Sequence, residues 1–165
     1  MDIYETIKTR RSVRVYKSKP VPEDKLERIL EAVRLAPSAH NSQPYKLIVV
    51  RDEEKKQHLA SAAQNQAFIA EASIIIAGVL LEPKEEMALI SLAIIIDHLT
   101  LAAAAEGLGT CWIGAFSQEE VKKILNIPEE YKVAILMPLG IPADSAGAKE
   151  RKALEDLICD ESFKE

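Results

Sequence analysis

Four cations, Arg10, Arg11, Arg14 and Lys17, fall within eight positions of the stretch "TRRSVRVYK" (9–17), and Lys8 and Lys19 flank it. A guanidinium donates two parallel charge-assisted hydrogen bonds to a phosphate or carboxylate, and Ser12 adds a hydroxyl. At the end of a short helix the backbone can turn Arg10, Arg11, Ser12 and Arg14 toward one small anion. The other reading is a solvated basic surface. Much later, "KER" (149–151) carries Lys149 and Arg151, which would supply further cations for the same anion.

Two more stretches hold residue types that could line a site. "APSAHNSQPY" (36–45) is a polar loop bracketed by prolines, between a helix and a buried strand. Polar loops on a rigid scaffold often carry function, although Ser38 and Asn41 could equally satisfy backbone groups in a plain connection. "GLGTCWIGAF" (107–116) lacks a glycine three positions after Gly109 and is no dinucleotide fingerprint. Its glycines suit the approach of backbone amides to a flat ligand. Trp112 reads as a core aromatic, and Cys111, with no adjacent base, reads as structural. His40, His58 and His98 show no metal spacing, and no Ser/His/Asp arrangement exists. Neither a metal site nor a protein nucleophile is expected.

These residues need a scaffold, and 165 residues suit one domain over the whole chain (1–165) with one core. Apolar residues make up 48% and charged residues 28%, an ordinary globular balance. The net charge of −5 argues against nucleic acid, whose phosphate backbone calls for a broad basic face. The first residues lack the apolar core of an export signal, and Cys111 and Cys159 read as free thiols. A cytoplasmic protein is expected.

Periodicity supplies the elements. Ile3 and Ile7 mark a short helix over 2–9 that runs into the basic cluster. Pro22 reads as the first residue of a helix with Leu26, Ile29, Leu30 and Val33 on one face, ended by Pro37. "YKLIVV" (45–50), "SIIIAGVL" (73–80) and "KVAILMPLG" (132–140) are strands, apolar enough for a sheet covered on both faces. Residues 53–63 form a helix between the first two, and Ser117 with Glu120 makes a capping box before another. Residues 151–165 read as a short amphipathic tail.

The segment 87–105 is apolar nearly all round and about as long as a membrane span. Asp97 and His98 lie inside it, and charge near a bilayer centre costs ~2.5 kcal/mol or more. The expectation is a helix buried on every side, its last face covered by a second copy of the chain.

Together and in this order, RRSVR, APSxxNxQP, GLGTCWIGAF and a late KxR resemble the nitroreductase family of FMN-dependent oxidoreductases, over nearly the whole chain. The resemblance implies an α+β fold with a central mixed sheet flanked by helices and the long helix at a homodimer interface. It implies that Arg10, Arg11 and Ser12 hold the FMN phosphate, with Lys149 and Arg151 closing over it, and that Arg14 lies near the N1/O2 edge of the flavin. A cation there suits the negative charge that reduction develops. Pro37, Ser38, Ala39 and Asn41 would pack on the flavin from the partner subunit, Gln66 would hydrogen-bond its pyrimidine ring, and Ile113 and Gly114 would cover it. The implied activity is hydride transfer from NADH or NADPH through flavin N5 to a nitroaromatic, quinone or similar small-molecule acceptor in a ping-pong cycle.

Three features depart from the family pattern. Tyr45 replaces the usual Trp after QP, and Ser91 stands where relatives often carry Asp. Only a few residues around "EPKEEM" (82–87) separate a strand from the long helix, where larger relatives insert helices that shape the substrate channel. The short connection implies an open flavin site and leaves the acceptor open. Another FMN reaction, such as dehalogenation or azoline oxidation, and a flavin-binding protein without turnover are the alternatives.

Overall fold

Alternating side chains of three long strands divide the core into two halves, one on each face of a single sheet. The computed structural model describes residues 2–144, 147 and 149–163. Strands β1 (Tyr45–Val50), β2 (Ile74–Leu80), β3 (Gly109–Thr110) and β4 (Lys132–Gly140) are ordered β1-β2-β4-β3. On one face Ile74, Ile76, Leu80, Ile135 and Met137 pack with helices α2 (Glu23–Leu35) and α5 (Glu86–Ala105). On the other, Ile75, Ala77, Val79 and Leu136 pack with α3 (Glu53–Ala62), α4 (Phe68–Glu71) and α6 (Gln118–Leu125). The near-continuous apolar strands thus cover both faces, as expected.

The sheet differs from the expected mixed one. Its four strands pair antiparallel, and among the described residues a parallel pairing enters only through the isolated bridge between Ser12 and Thr110. That bridge lays the arm after α1 (Ile3–Thr9) against β3. Gly78 of β2 marks where α5 crosses the sheet: a Cβ there would lie 2.8 Å from Ile135 Cγ2 and 3.3 Å from a Leu92 methyl.

Helix ends follow local chemistry with small corrections. Pro22 is the N-cap of α2 rather than its first residue, ahead of Glu23 and Asp24. Ser117 accepts from the Glu120 N–H at 3.3 Å, half of the expected capping box. Its own N–H donates to the Ala62 carbonyl at 2.9 Å, tying α6 to α3. At the far end of α5, Arg28 grips the Glu106 carboxylate with bonds of 2.7 and 2.9 Å, and Lys25 donates to the Glu106 carbonyl. Cations there complement the helix dipole and fasten α2 to α5.

Helix α5 is not buried all round within one chain. Leu92, Ile95, Ile96 and Leu99 are buried, but Met87, Leu89 and Ile90 are about half exposed, and Ala93, Asp97 and His98 are exposed. By length and composition it could cross a membrane, yet its buried face packs on β2 and α2. The C-terminal tail carries one turn, Leu154–Asp156, and leaves Leu154, Leu157, Ile158 and Phe163 exposed.

Candidate active site

The arginines of the chain divide by their partners. Arg28, Arg34 and Arg51 each pair with a carboxylate at 2.6–3.0 Å. Among the described residues, no carboxylate pairs with Arg10, Arg11, Arg14 or Arg151. Ordinary surface arginines in this acidic protein find acids, whereas the arginines of the predicted anion site do not.

Arg10 and Arg11 line a cavity of about 230 Å³ with Thr9, Thr100, Thr110 and one acid, Asp144. The arm that carries them is set from below. The Val13 N–H donates to the Thr110 carbonyl at 2.9 Å, and a Cβ at Gly109 would lie 2.6 Å from Val13 Cγ2. Only glycine at 109 lets the arm lie flat against β3. Arg11 Nη1 donates to the Lys8 and Arg10 carbonyls at 2.7 Å, which fixes its guanidinium at the end of α1. Burial pushes the Cys111 thiol up, with Arg14, Ser12 and Arg10 opposing, so a structural rather than nucleophilic Cys111 fits the expectation.

Lys17 and Lys19 leave this group. They line a separate cavity of about 750 Å³, where Arg51 pairs with Glu23, and Lys56 with Glu53 and the Ala72 carbonyl.

The 36–45 loop is a second polar cluster. His40, Asn41 and Gln43 have φ of 52°, 56° and 50°, a concentration of left-handed backbone that is uncommon outside glycine. Ser38 Oγ accepts from the Gln43 N–H at 3.1 Å, and burial raises the Tyr45 pKa, with Ser38 opposing. The Ala39 N–H donates to Ser91 Oγ of α5 at 3.2 Å. Pro37 and Asn41 are exposed, and Ser38 and Ala39 half-buried.

The 111–114 segment follows β3 directly. Ile113 is buried and exchanges two backbone bonds of 3.0 Å with Leu136. Gly114 is exposed, and a Cβ there would meet nothing within 4 Å, so no neighbour in this chain requires the glycine. Trp112, expected in the core, is instead 42% exposed, its indole N–H held at 3.2 Å by Thr100 Oγ1. Gln66 is half-buried, with its amide donating to the Ala63 carbonyl at 2.9 Å. Lys149 and Arg151 are exposed on the tail, and among the described residues neither lines the Arg10–Arg11 cavity.

Sequence reasoning missed Thr100 and the tether made by Ser91. Their signal was a hydroxyl inside an otherwise apolar helix, which on such a helix is as easily read as a back-bond to its own carbonyls. Thr100 does make that bond, to Ile96 at 2.7 Å.

Helix α5 also measures how far apart the clusters are. The loop is tied to it at Ser91, and the basic cavity touches it at Thr100 and Ala104. The nine helical steps from Ser91 to Thr100 rise about 14 Å and the thirteen to Ala104 about 20 Å. The loop and the cations therefore do not converge within one chain.

Comparison with known proteins finds nitroreductase relatives over most of the chain. A family model described as "Putative TM nitroreductase" matches residues 2–165. An Archaeoglobus fulgidus protein named "Putative NADH dehydrogenase/NAD(P)H nitroreductase" is 35% identical over 147 residues, covering 84% of each chain. A nitroreductase family protein of Clostridium novyi NT superposes with a TM-score of 0.84 at 36% identity, covering 88% of this chain and 87% of that one. The NADPH:FMN oxidoreductase of Vibrio harveyi, solved with NAD+, gives a TM-score of 0.91 at 26% identity, covering 99% of this chain and 78% of that one.

Proposed function

The chain belongs to the nitroreductase family, and we propose that it is an FMN-dependent NAD(P)H oxidoreductase, working as a homodimer and reducing a nitroaromatic, quinone or similar acceptor by a ping-pong cycle. One observation carries the reading: Arg10 and Arg11, without carboxylate partners among the described residues, line one cavity, and Ser12 follows them in the chain. A phosphate monoester would complete that donor set, because each guanidinium can give it charge-assisted hydrogen bonds.

The residues fit FMN in further ways. The exposed Gly114, with open space where a side chain would lie, suits backbone against a flat ring. Arg14 would sit beside the ring edge that gains negative charge, and Gln66 would turn its amide to the pyrimidine. Lys149 and Arg151 would close over the phosphate. Bound FMN would supply the redox chemistry, accepting a hydride from NAD(P)H and passing it on. The chain contributes position and electrostatics.

The dimer reading rests on the separation along α5. The loop of Pro37, Ser38, Ala39 and Asn41 is tied to α5 about two to four turns from the cations of its own chain, and the exposed apolar side of α5 supports its reaching the flavin from a second copy. Few residues lie between Leu80 and Glu86, so the site would be open and broad in its acceptors.

Steady-state rates with NADH or NADPH and a quinone or nitroaromatic acceptor test the cycle. Parallel double-reciprocal lines are expected, and intersecting lines would overturn the ping-pong order.

A further inference from the structure

Beyond Glu86 at its start, the uncovered side of α5 is apolar except at its middle. Ile90, Ile94 and Leu101 line it, and between Ile94 and Leu101 stand Asp97 and His98, both exposed. The Ile94 carbonyl holds His98 Nδ1 at 3.0 Å, which leaves the opposite ring nitrogen, Nε2, for a second partner. A surface that buries this stripe against a second copy has to supply a donor for Asp97 and a partner for His98, because desolvated polar groups are costly when unpaired.

The site gives an independent measure of where two copies meet. The loop of one copy is anchored at Ser91, and the cavity touches α5 at Thr100 and Ala104. In an antiparallel helix pair related by a two-fold axis, positions equally far from the axis on opposite sides face one another. The levels midway between Ser91 and Thr100 or Ala104 run from about residue 95 to 98 and take in Asp97 and His98.

Both observations name the same level. We propose that the two-fold axis passes α5 at the Asp97–His98 step, with the helices antiparallel and Asp97 of each copy paired with the partner's His98. This rests on the reading that Pro37, Ser38, Ala39 and Asn41 complete the flavin site of a second copy. At this level Ile94 faces the partner's Leu101, so apolar groups also meet apolar groups. A slip of one turn would set Asp97 against an aliphatic side chain and lift the loop off the cavity. The pair therefore selects the register, as a buried polar contact does in a coiled coil.

Cysteine cross-linking of the FMN-loaded protein, in a Cys159→Ser background, tests the register. The Ile94→Cys/Leu101→Cys variant should form covalent dimers on mild oxidation, and the offset pair Ile90→Cys/Leu101→Cys should not. Sedimentation supplies the second measurement. Asp97→His and His98→Asp, which oppose like groups, should each raise the dimer dissociation constant by about tenfold or more. The double exchange should restore it. Cross-linking of the offset pair, or a double exchange no better than the single ones, would overturn the register while leaving a shared site standing. A wild-type protein that sediments as a monomer and binds FMN fully would overturn both.

Discussion

Ser91 Oγ, buried on α5, accepts a hydrogen bond from the Ala39 N–H at 3.2 Å, joining residues 52 positions apart. It is the side-chain tie between the long helix and the loop whose Ser38, Ala39 and Asn41 are assigned to the flavin.

Removing that tie should loosen the loop without unfolding the helix. Ser91→Ala should weaken FMN binding about 2- to 10-fold, the equivalent of one neutral hydrogen bond. Ser91→Thr should retain most of the affinity. Fluorescence titration of FMN checks both, and unchanged affinity in the alanine variant would separate the loop from the flavin.

The phosphate assignment makes a larger demand. Hydrogen bonds to a charged group contribute ~1.5–3 kcal/mol each, so Arg10→Ala/Arg11→Ala should weaken FMN binding by about a hundredfold or more. The same titration reads it. An affinity near that of the wild type would assign the phosphate elsewhere.

Gly109 controls the arm from beneath. Gly109→Ala forces a Cβ to within 2.6 Å of Val13 Cγ2 and should cost about 1–3 kcal/mol of stability, with weaker FMN binding. Val13→Ala in the same chain should recover part of both. Thermal unfolding and FMN titration of the single and double variants decide it; a double variant less stable than Gly109→Ala would contradict the contact.

Acid should weaken the clamp at the end of α5. The Arg28 guanidinium, aided by Lys25, holds the Glu106 carboxyl below the usual carboxylate range. The unfolded chain therefore takes up this proton more readily than the folded one. The stabilisation is complete above the ordinary carboxylate pKa and disappears as pH falls through the lowered one. Glu106→Gln should lower Tm near neutral pH, and the gap should close in strong acid. A gap independent of pH would place the pair's effect outside proton linkage.

Much of the scaffold was legible because its signals are local. The runs 45–50 and 132–140 match β1 and β4, since β-branched stretches bounded by turn residues allow little else. Pro22 and Pro37 bounded α2 to within one or two residues. Pairing direction was not legible: it depends on how β2 returns between β1 and β4, which strand composition leaves open. Trp112 was misread because its type suggests a core, while a distant Thr100 holds its polar edge near the surface. The cations were visible as a cluster, but their separation from Lys17 and Lys19 needed the arm's path across β3. That the loop and the cations lie at different levels of α5 is a three-dimensional fact with no local trace.

The most direct test is the visible spectrum of protein purified without added flavin, recorded before and after anaerobic addition of NADH or NADPH. The account predicts bound flavin, or uptake of added FMN, with absorbance that bleaches on adding one of the two nucleotides. A colourless protein that takes up no FMN, or a bound flavin that neither nucleotide reduces, would contradict it.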